Sequence, residues 1–556
     1  MAALLRAFIS THGRLLDQEM AQACSNPREA QRQFLLRLLH KNRRTSYGRM
    51  CRFASITSEE EFRTAVAVIE YADLVPYIEE IKKGTQNVLT AESVIALSQT
   101  SGTTAEPKLI PMTPAALRCA RRQLRHWLYH CLLRHPKICD GSLLVVTGSP
   151  IEGRLDCGLP YGSFSGFMRG FLPRSLHGVF AAPRCVSRIP DYRMRYYLLA
   201  RCAFAKPLSL IATPNPITLV KLFEMAQARR EEIIRSIHNG WISDAIKTPA
   251  EHEKAGLPAS LSRLFRPDRA RARFLSSISG GTNAFLPMQI WPDLSVIGCW
   301  LGGSIGYQAG LLDERCGGVS KRDLGYMASE GVFTLTTEDE TPAGILSLRN
   351  NYYEFIPAED DGSGSAVTAD ELEVGRSYRM IITNEMGLYR YDLNDIIQVH
   401  GFHKDAPLIS FVRKGGNMLD IAGEKLHVNH FLFAFDRLRK EHQVDVTQFR
   451  AVRLREQLRY ELFLAIRPQV DREFVKSVLL PAIDTFLCES NIEYGSRRRS
   501  DRLKGPIIHM MALEWEDHVR GIDLARRGRS EVQYKWEQLS TEPRAEDRAF
   551  VLYSVE

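Results

Sequence analysis

Three short apolar runs, VIAL at 94 to 97, SLLVVTG at 142 to 148 and LSLIATP at 208 to 214, lie between stretches of helical periodicity. Continuous apolar runs of this length read as strands buried on both faces, and such strands need helices to cover them. The pattern therefore predicts an α/β body. One covering helix has both ends written into it: Asn215 as N-cap, Pro216 in the first turn, an apolar stripe through Leu219, Leu222, Phe223, Ala226, Ile233 and Ile237, and Gly240 as the stop. The first 40 residues also run at helical spacing, and Ser58 with Glu61 forms a capping-box pattern.

A chain of 556 residues exceeds what one hydrophobic core organises, so at least two domains are expected. The polar stretch AEDDGSGSAVTADE at 358 to 371 reads as a surface loop rather than a boundary, because RSYRMIITNEMGLYRYDLNDIIQVHGF beyond it looks like paired strands. A better hinge is FVRKGGNMLDIAGEK, where Gly415-Gly416 frees the backbone. The expected division is a large N-terminal α/β domain, residues 1–412, and a small C-terminal α+β domain, 413–556, hinged near 413–425. ELFLAIRP and DREFVKSVLLPAIDTFLCES supply strand and helix patterns for the second. No internal repeat is present.

The net charge of +8, from 73 basic and 65 acidic residues, is small for this length and argues against a nucleic-acid partner. Eleven cysteines, an odd number with no C-x-x-C pair, fit a reduced, cytoplasmic setting. The start, MAALLRAFIS, lacks a long apolar signal region, and no run of about 18 apolar residues predicts a membrane span.

Chemistry enters at TSGTTAEPK, residues 100 to 108. A hydroxyl-rich turn containing Gly, placed after a buried strand, offers N–H and O–H donors to phosphate, and Lys108 adds a point charge. It is not a Walker A loop, since G-x-x-x-x-G-K-[ST] is absent. The same composition also suits a Thr-rich surface turn.

TSGTTAEPK resembles the phosphate loop of adenylate-forming enzymes. Together with VIEYADLVPYIEEIKKGTQNVLT, GYMASEG at 325 to 331, NYYEFIP at 351 to 357, GLYRYDLNDIIQV at 387 to 399 and VQYKW at 532 to 536, it resembles the GH3 family of acyl acid amido synthetases, here as a bacterial-type member. The resemblance runs from about residue 45 to 540. It implies the adenylate-forming fold, in which the large N-terminal α/β domain carries the ATP and acyl-acid sites and the small domain moves. It also implies the activity: a carboxylic acid activated with ATP and Mg²⁺ as an acyl-adenylate, pyrophosphate released, and the acyl group passed to an amino acid or other amine. Plant members join amino acids to auxin, jasmonate or benzoates.

Residue by residue, the resemblance gives the phosphate-loop roles to Thr100, Ser101, Gly102, Thr103, Thr104 and Lys108. From the family's Y-x-S-S-E block, Tyr326 lies at the adenine, with Ser329 beside it, and Glu330 holds Mg²⁺; Ala328 stands where the first serine would be. From Y-R-x-G-D, Asp395 accepts the ribose hydroxyls, with Asn394 in place of the glycine and Asp392 in place of a basic residue. Tyr353 and Phe355 enter as nucleotide neighbours. Lys535 is the catalytic lysine delivered by the small domain, with Lys425 as the alternative and Arg413 a further basic candidate at the hinge. The acyl acid falls to YGSFSGFM and GCWLGGSIGYQ, hence Phe164, Gly303 and Ser304, with Arg121 or Arg122 from a run that includes Arg118 and Arg125 to meet its carboxylate.

Other readings stay open at the level of sequence. An acyl-CoA ligase would keep the adenylation and change the acceptor. GGSIG at 302 to 306 also satisfies G-x-S-x-G after an apolar run, which would make Ser304 the nucleophile of an α/β-hydrolase. His427 and His430 have the spacing of a metal pair but lack a third ligand at a recognisable distance.

Overall fold

A computed structural model describes the chain except residues 100–107, 190, 249–250, 252–256, 258–260, 262–264, 279–285, 359–364, 416–417, 423 and 528–535; at 192, 304, 305, 307, 308, 314, 524, 526 and 527 only the backbone is described. The described residues fall into two compact units, residues 1–99 with 108–411, and residues 412–556.

The larger unit is built on three main sheets. Ser142–Val145, Leu208–Ala212, Val296–Gly298 and Ser320–Arg322 form a wholly parallel sheet in chain order. Its inner strand Leu208–Ala212 is buried at every position, as a strand covered on both faces must be. A second sheet orders Leu109–Met112, Ala96–Gln99, Pro160–Gly162 and Gly153–Arg154. The third is antiparallel: Thr334–Leu335, Gly344–Leu346, Ala406–Lys414, Tyr391–His403, Ser377–Asn384 and Asn351–Pro357. The pair expected from RSYRMIITNEMGLYRYDLNDIIQV forms two neighbouring antiparallel strands of this sheet.

The helix written between Asn215 and Gly240 starts and stops as expected. The Asn215 side chain accepts from the Ile217 N–H at 3.1 Å, and Gly240 closes with φ +75°. It is nevertheless two helices, Pro216–Ala228 and Arg230–Asn239, because Arg229 leaves helical geometry, its guanidinium 4.2 Å from the centre of the Tyr197 ring. The break lets the second piece pack on the helix Arg269–Ser277. Ser58 caps the helix Glu59–Ala65 through the Glu61 N–H, and the Glu61 carboxylate accepts the Thr57 N–H.

The smaller unit carries a five-stranded mixed sheet in the order Leu539–Ser540, Asp445–Leu454, Arg459–Arg467, Ile507–Met511, Val551–Val555, with helices including Val428–His442 and Leu480–Ser490. Among the described residues no helix is long and apolar enough to cross a membrane, and none of the eleven cysteines is in a disulfide.

Candidate active site

Strand Ala96–Gln99 ends where residues 100–107 begin, so Thr100, Ser101, Gly102, Thr103 and Thr104 lie outside the described residues. Both sides of that gap are fixed. On the near side the Gln99 carbonyl accepts from the Ser329 hydroxyl at 3.2 Å. On the far side the Lys108 ammonium sits 5.3 Å from the centre of the Tyr71 ring, whose hydroxyl accepts the Leu109 N–H at 2.8 Å.

Ser329 and Glu330 form the turn of a small hairpin, Met327–Ala328 with Gly331–Val332. Asn384 holds it by donating to the Glu330 carbonyl at 2.8 Å and to the Asn351 side chain at 3.1 Å. The Glu330 side chain is buried, at 8% exposure. Tyr326 precedes the hairpin. Its ring packs 4.7 Å from Phe333 and 5.5 Å from Phe411, and its hydroxyl donates a short bond to the Asp395 carboxylate. Burial first, and then the charge of Asp395, push the Tyr326 phenol well above its ordinary range, so it remains a donor.

Asp395 reaches Tyr326 because its strand is deformed. Pairing runs Ile381 to Asp392 and then Arg379 to Ile396, which leaves Leu393, Asn394 and Asp395 opposite Met380 alone. Such a bulge swings a side chain out of the regular alternation. It needs a left-handed residue, supplied by Asn394 at φ +52°, and Asn is the side chain that tolerates this conformation best after glycine. Asp392 closes the bulge by accepting the Asn394 N–H at 2.7 Å. Burial pushes the Asp392 carboxyl up, with the Arg379 guanidinium 3.4 Å away opposing.

Two carboxylates, one from the hairpin and one from the bulge, thus lie near the same two tyrosines. Glu330 and Asp395 both act electrostatically on Tyr326 and on Tyr391. An acidic pair near the end of strand Ala96–Gln99 offers oxygen ligands of the kind Mg²⁺ takes, one or two carboxylates beside substrate phosphates.

Several expected residues are placed elsewhere. Tyr353 and Phe355 have no exposed surface and belong to the core; the Tyr353 hydroxyl donates to the Phe333 and Ser347 carbonyls and accepts from Asn351. In that position Tyr353 supports the segment just after the hairpin through the Phe333 carbonyl. Arg122 forms an ion pair with Glu19, and Arg118 is bound to Glu92 at 3.2 Å. Arg121 faces another way: its guanidinium donates to the Phe167 carbonyl at 3.0 Å. Phe164 is buried and lines a small cavity with Ala116, Cys119, Ala120, Gly331 and Val332, directly against the hairpin that carries Glu330. Gly303 opens the helix Gly303–Gly310 with φ +59°, and the side chain of Ser304 lies outside the described residues.

In the smaller unit Arg413 is part-buried beside His427 and His430, and burial lowers its pKa. Those histidines are not a metal pair. Their rings lie 3.7 Å apart and cap the helix Val428–His442, the Nδ1 of each accepting a backbone N–H at 3.2 Å. Burial lowers them to about 3 and about 4, so both are neutral. Lys425 is exposed with φ +48°, on a turn held by Glu424, which accepts from the Ile421 and Ala422 N–H groups. Lys535 lies outside the described residues. The next residue, Trp536, is anchored: its indole donates to the Phe449 carbonyl at 2.7 Å, packs edge-on to Trp515 at 4.7 Å, and sits 4.5 Å from Arg450.

Two features escape motif reading. The Asp323 carboxylate accepts from Leu301 at 2.6 Å and Gly325 at 2.7 Å, tying the 301–303 turn to the residue before Tyr326. Burial pushes it up to about 7 against those donors. Its one local signal is an Asp two residues before a glycine. The second is cationic. Arg169 is buried, pushed down to about 10 by burial and then by Arg184, and its Nε and Nη1 have no hydrogen-bond partner. A Cβ on Gly170 would lie 2.6 Å from an Arg121 nitrogen and 3.1 Å from an Arg184 nitrogen, so these two guanidiniums are neighbours. Among the described residues none of the three forms an ion pair. No sequence signal marks this convergence, because its members come from three separated segments.

Solved structures share this architecture. An acyl acid amido synthetase, GH3.15, overlays with TM-score 0.82 at 19% identity, covering 96% of each chain. A structure titled AtGH3.15 acyl acid amido synthetase in complex with 2,4-DB overlays with 0.84 at 19% identity, covering 98% of this chain and 97% of that one. A 2-hydroxyisobutyryl-CoA ligase in its postadenylation state overlays at 0.52 with 12% identity, over 94% and 90%. The fold is that of the adenylate-forming ligases. Within it, the GH3 family N-terminal domain matches residues 16–320 and the GH3 family central domain residues 344–414, and the chain belongs to the GH3 family. Among curated relatives, the indole-3-acetic acid-amido synthetase GH3.3 of Arabidopsis thaliana is 26% identical over 71% of this chain and 68% of its own. The jasmonoyl–L-amino acid synthetase JAR4 of Nicotiana attenuata is 24% identical over 71% and 70%.

Proposed function

We infer that the chain is an acyl acid amido synthetase: it activates a carboxylic acid with ATP, releases pyrophosphate and transfers the acyl group to the amine of an amino acid. The observation that carries this reading is the placement of both Glu330 and Asp395 near Tyr326, beside the strand that runs into residues 100–107. Attack on the α-phosphate builds negative charge on phosphoryl oxygens, which hydroxyl, N–H and cationic groups must meet. In this reading Thr100, Ser101, Gly102, Thr103, Thr104 and Lys108 supply those donors, Asp395 accepts the ribose hydroxyls and Tyr326 orients Asp395. Mg²⁺, held by Glu330, would neutralise phosphate charge. Lys535 comes from the smaller unit, which acts as the mobile C-terminal domain, and Trp536 fixes the end of its segment.

For the acid, the reading favours the cavity at Phe164 and the neighbouring Arg121, with Arg169 and Arg184 adding positive charge behind it. An apolar body with an anionic group suits those surroundings. The hydrolase reading explains neither the two carboxylates near Tyr326 nor the family match.

The test is acid-dependent exchange of labelled pyrophosphate into ATP across a panel of carboxylic acids, followed by product mass analysis with amino acids or with CoA. Exchange followed by an amide supports the proposal. A thioester with CoA and no amide would convert it to an acyl-CoA ligase, and ATP binding without exchange under any acid would end the ligase reading.

A further inference from the structure

Far along the helix Pro114–Arg134, on a face unrelated to the nucleotide residues, two histidines stand one turn apart. His126 and His130 each bring Nε2 to the same oxygen of Asp17, at 2.8 Å and 2.9 Å. Asp17 belongs to the N-terminal helix Ala2–Cys24, so the three groups bridge two helices. His126 is buried at 8% side-chain exposure, and His130 and Asp17 are at 13% and 33%. All three ligand atoms lie within 4.8 Å of one another.

We propose that Asp17, His126 and His130 form a divalent transition-metal site, best suited to Zn²⁺, that pins the N-terminal helix to the helix Pro114–Arg134. An N₂O set of two imidazoles and one carboxylate is borderline in softness, which favours Zn²⁺ over Mg²⁺ or Ca²⁺. Ligand atoms bound to Zn²⁺ at about 2.0–2.1 Å in a tetrahedron are roughly 3.3 Å apart. The present 2.8 and 2.9 Å contacts therefore need to open by only a few tenths of an ångström. Asp17 is partly exposed, which gives the ion a way in and leaves the fourth position to water.

The surroundings support a small, charged guest. Arg122 lies next along the same face, but Glu19, two residues beyond Asp17, neutralises it. The ring of Tyr129 lies edge-on to His130 at 5.6 Å and restricts its orientation. Hydrogen bonding alone would also join the helices, so the proposal must be separated from a simple polar contact. Metal binding does that, because a polar contact predicts none.

The experiment uses the full-length chain without an affinity tag, stripped with a chelator and dialysed. Zn²⁺ is titrated by calorimetry, and Co²⁺ is titrated in parallel to read its visible absorption. The expected result is one tight equivalent of Zn²⁺ per chain and a Co²⁺ spectrum of a low-coordinate nitrogen–oxygen site. Loss of one ligand in His130→Ala or Asp17→Asn should weaken that equivalent by more than the roughly 10–100-fold that loss of an outer-shell partner costs, whereas Cys157→Ser, which removes the exposed thiol, should leave it unchanged. Circular dichroism confirms that each variant is folded, and Asp17→Asn, which preserves shape, serves if the histidine variant is not. Absence of stoichiometric binding by the native chain, or equal binding by Asp17→Asn and the native chain, overturns the site.

Discussion

At the scale of the residue, Asp395 and Asp323 are both buried acids near Tyr326, but their surroundings assign them different work. Asp395 accepts the Tyr326 hydroxyl, so it is held in one orientation before any ligand arrives. Changing it to Asn retains the size and one acceptor but removes the charge. A charge-assisted hydrogen bond is worth about 1.5–3 kcal/mol, so Asp395→Asn should raise the KM for ATP about 10-fold or more in pyrophosphate exchange while the melting temperature moves little. An unchanged KM with a large loss of stability would leave Asp395 a purely structural group. Asp323 is the pH-sensitive one. Its pKa, raised by burial to about 7, exceeds that of an exposed carboxyl, so the folded chain keeps a proton that the unfolded chain loses first. The stabilisation is full below about pH 4 and disappears as the pH rises through about 7. Denaturant unfolding of the native chain and Asp323→Asn across pH 4 to 8 should show the native chain losing ground to the variant up to neutrality and a constant difference above it.

At the scale of the element, the decisive feature is the bulge in strand Tyr391–His403. Three residues there face one partner residue, and the left-handed Asn394 makes that possible. Glycine at 394 should be tolerated, since it bears no Cβ, whereas Asn394→Ala keeps a Cβ, whose left-handed penalty is about 1–2 kcal/mol, without the polar side chain that offsets it, and also disturbs the aim of Asp395. Urea unfolding measures the first effect and the KM for ATP the second; equal behaviour of the Gly and Ala variants would remove the bulge from the account. The neighbouring Arg390, bidentate to Glu354 with both contacts at 3.0 Å and donating to the Arg63 and Val66 carbonyls, locks the start of this strand. The element is therefore rigid where it must aim a side chain.

At the scale of the whole molecule, the two units have separate hydrophobic cores. The core of Val412–Glu556 includes a fully buried ion pair, Arg450 with Asp547, flanked by Trp515 and Trp536. Removing one partner of such a pair strands a buried charge at a cost of about 3–5 kcal/mol. Arg450→Met should lower the melting of this unit alone, seen by scanning calorimetry as the shift of one transition while the other remains. A uniform shift of a single transition would mean that the two cores melt as one. The same variant should reduce adenylation if the segment ending at Trp536 delivers Lys535.

Much of this protein can be read along the chain because the determining interactions are local. Continuous apolar runs meant covered strands, Asn215 and Gly240 bounded a helical region, and five motif blocks in order pointed to the family. Asn394 in place of glycine is legible too, since few side chains accept a positive φ. What the linear order hides is partnership across long separations. Arg121 and Arg122 are neighbours in sequence, yet one is bound to Glu19 and the other turns toward Phe167 and Arg184. Tyr353 and Phe355 sit in a motif, yet packing encloses them. Burial and pairing depend on which distant segments are brought alongside; only tertiary structure could decide that Asp323 would hold two turns together and that Asp17 would meet two histidines over a hundred residues away.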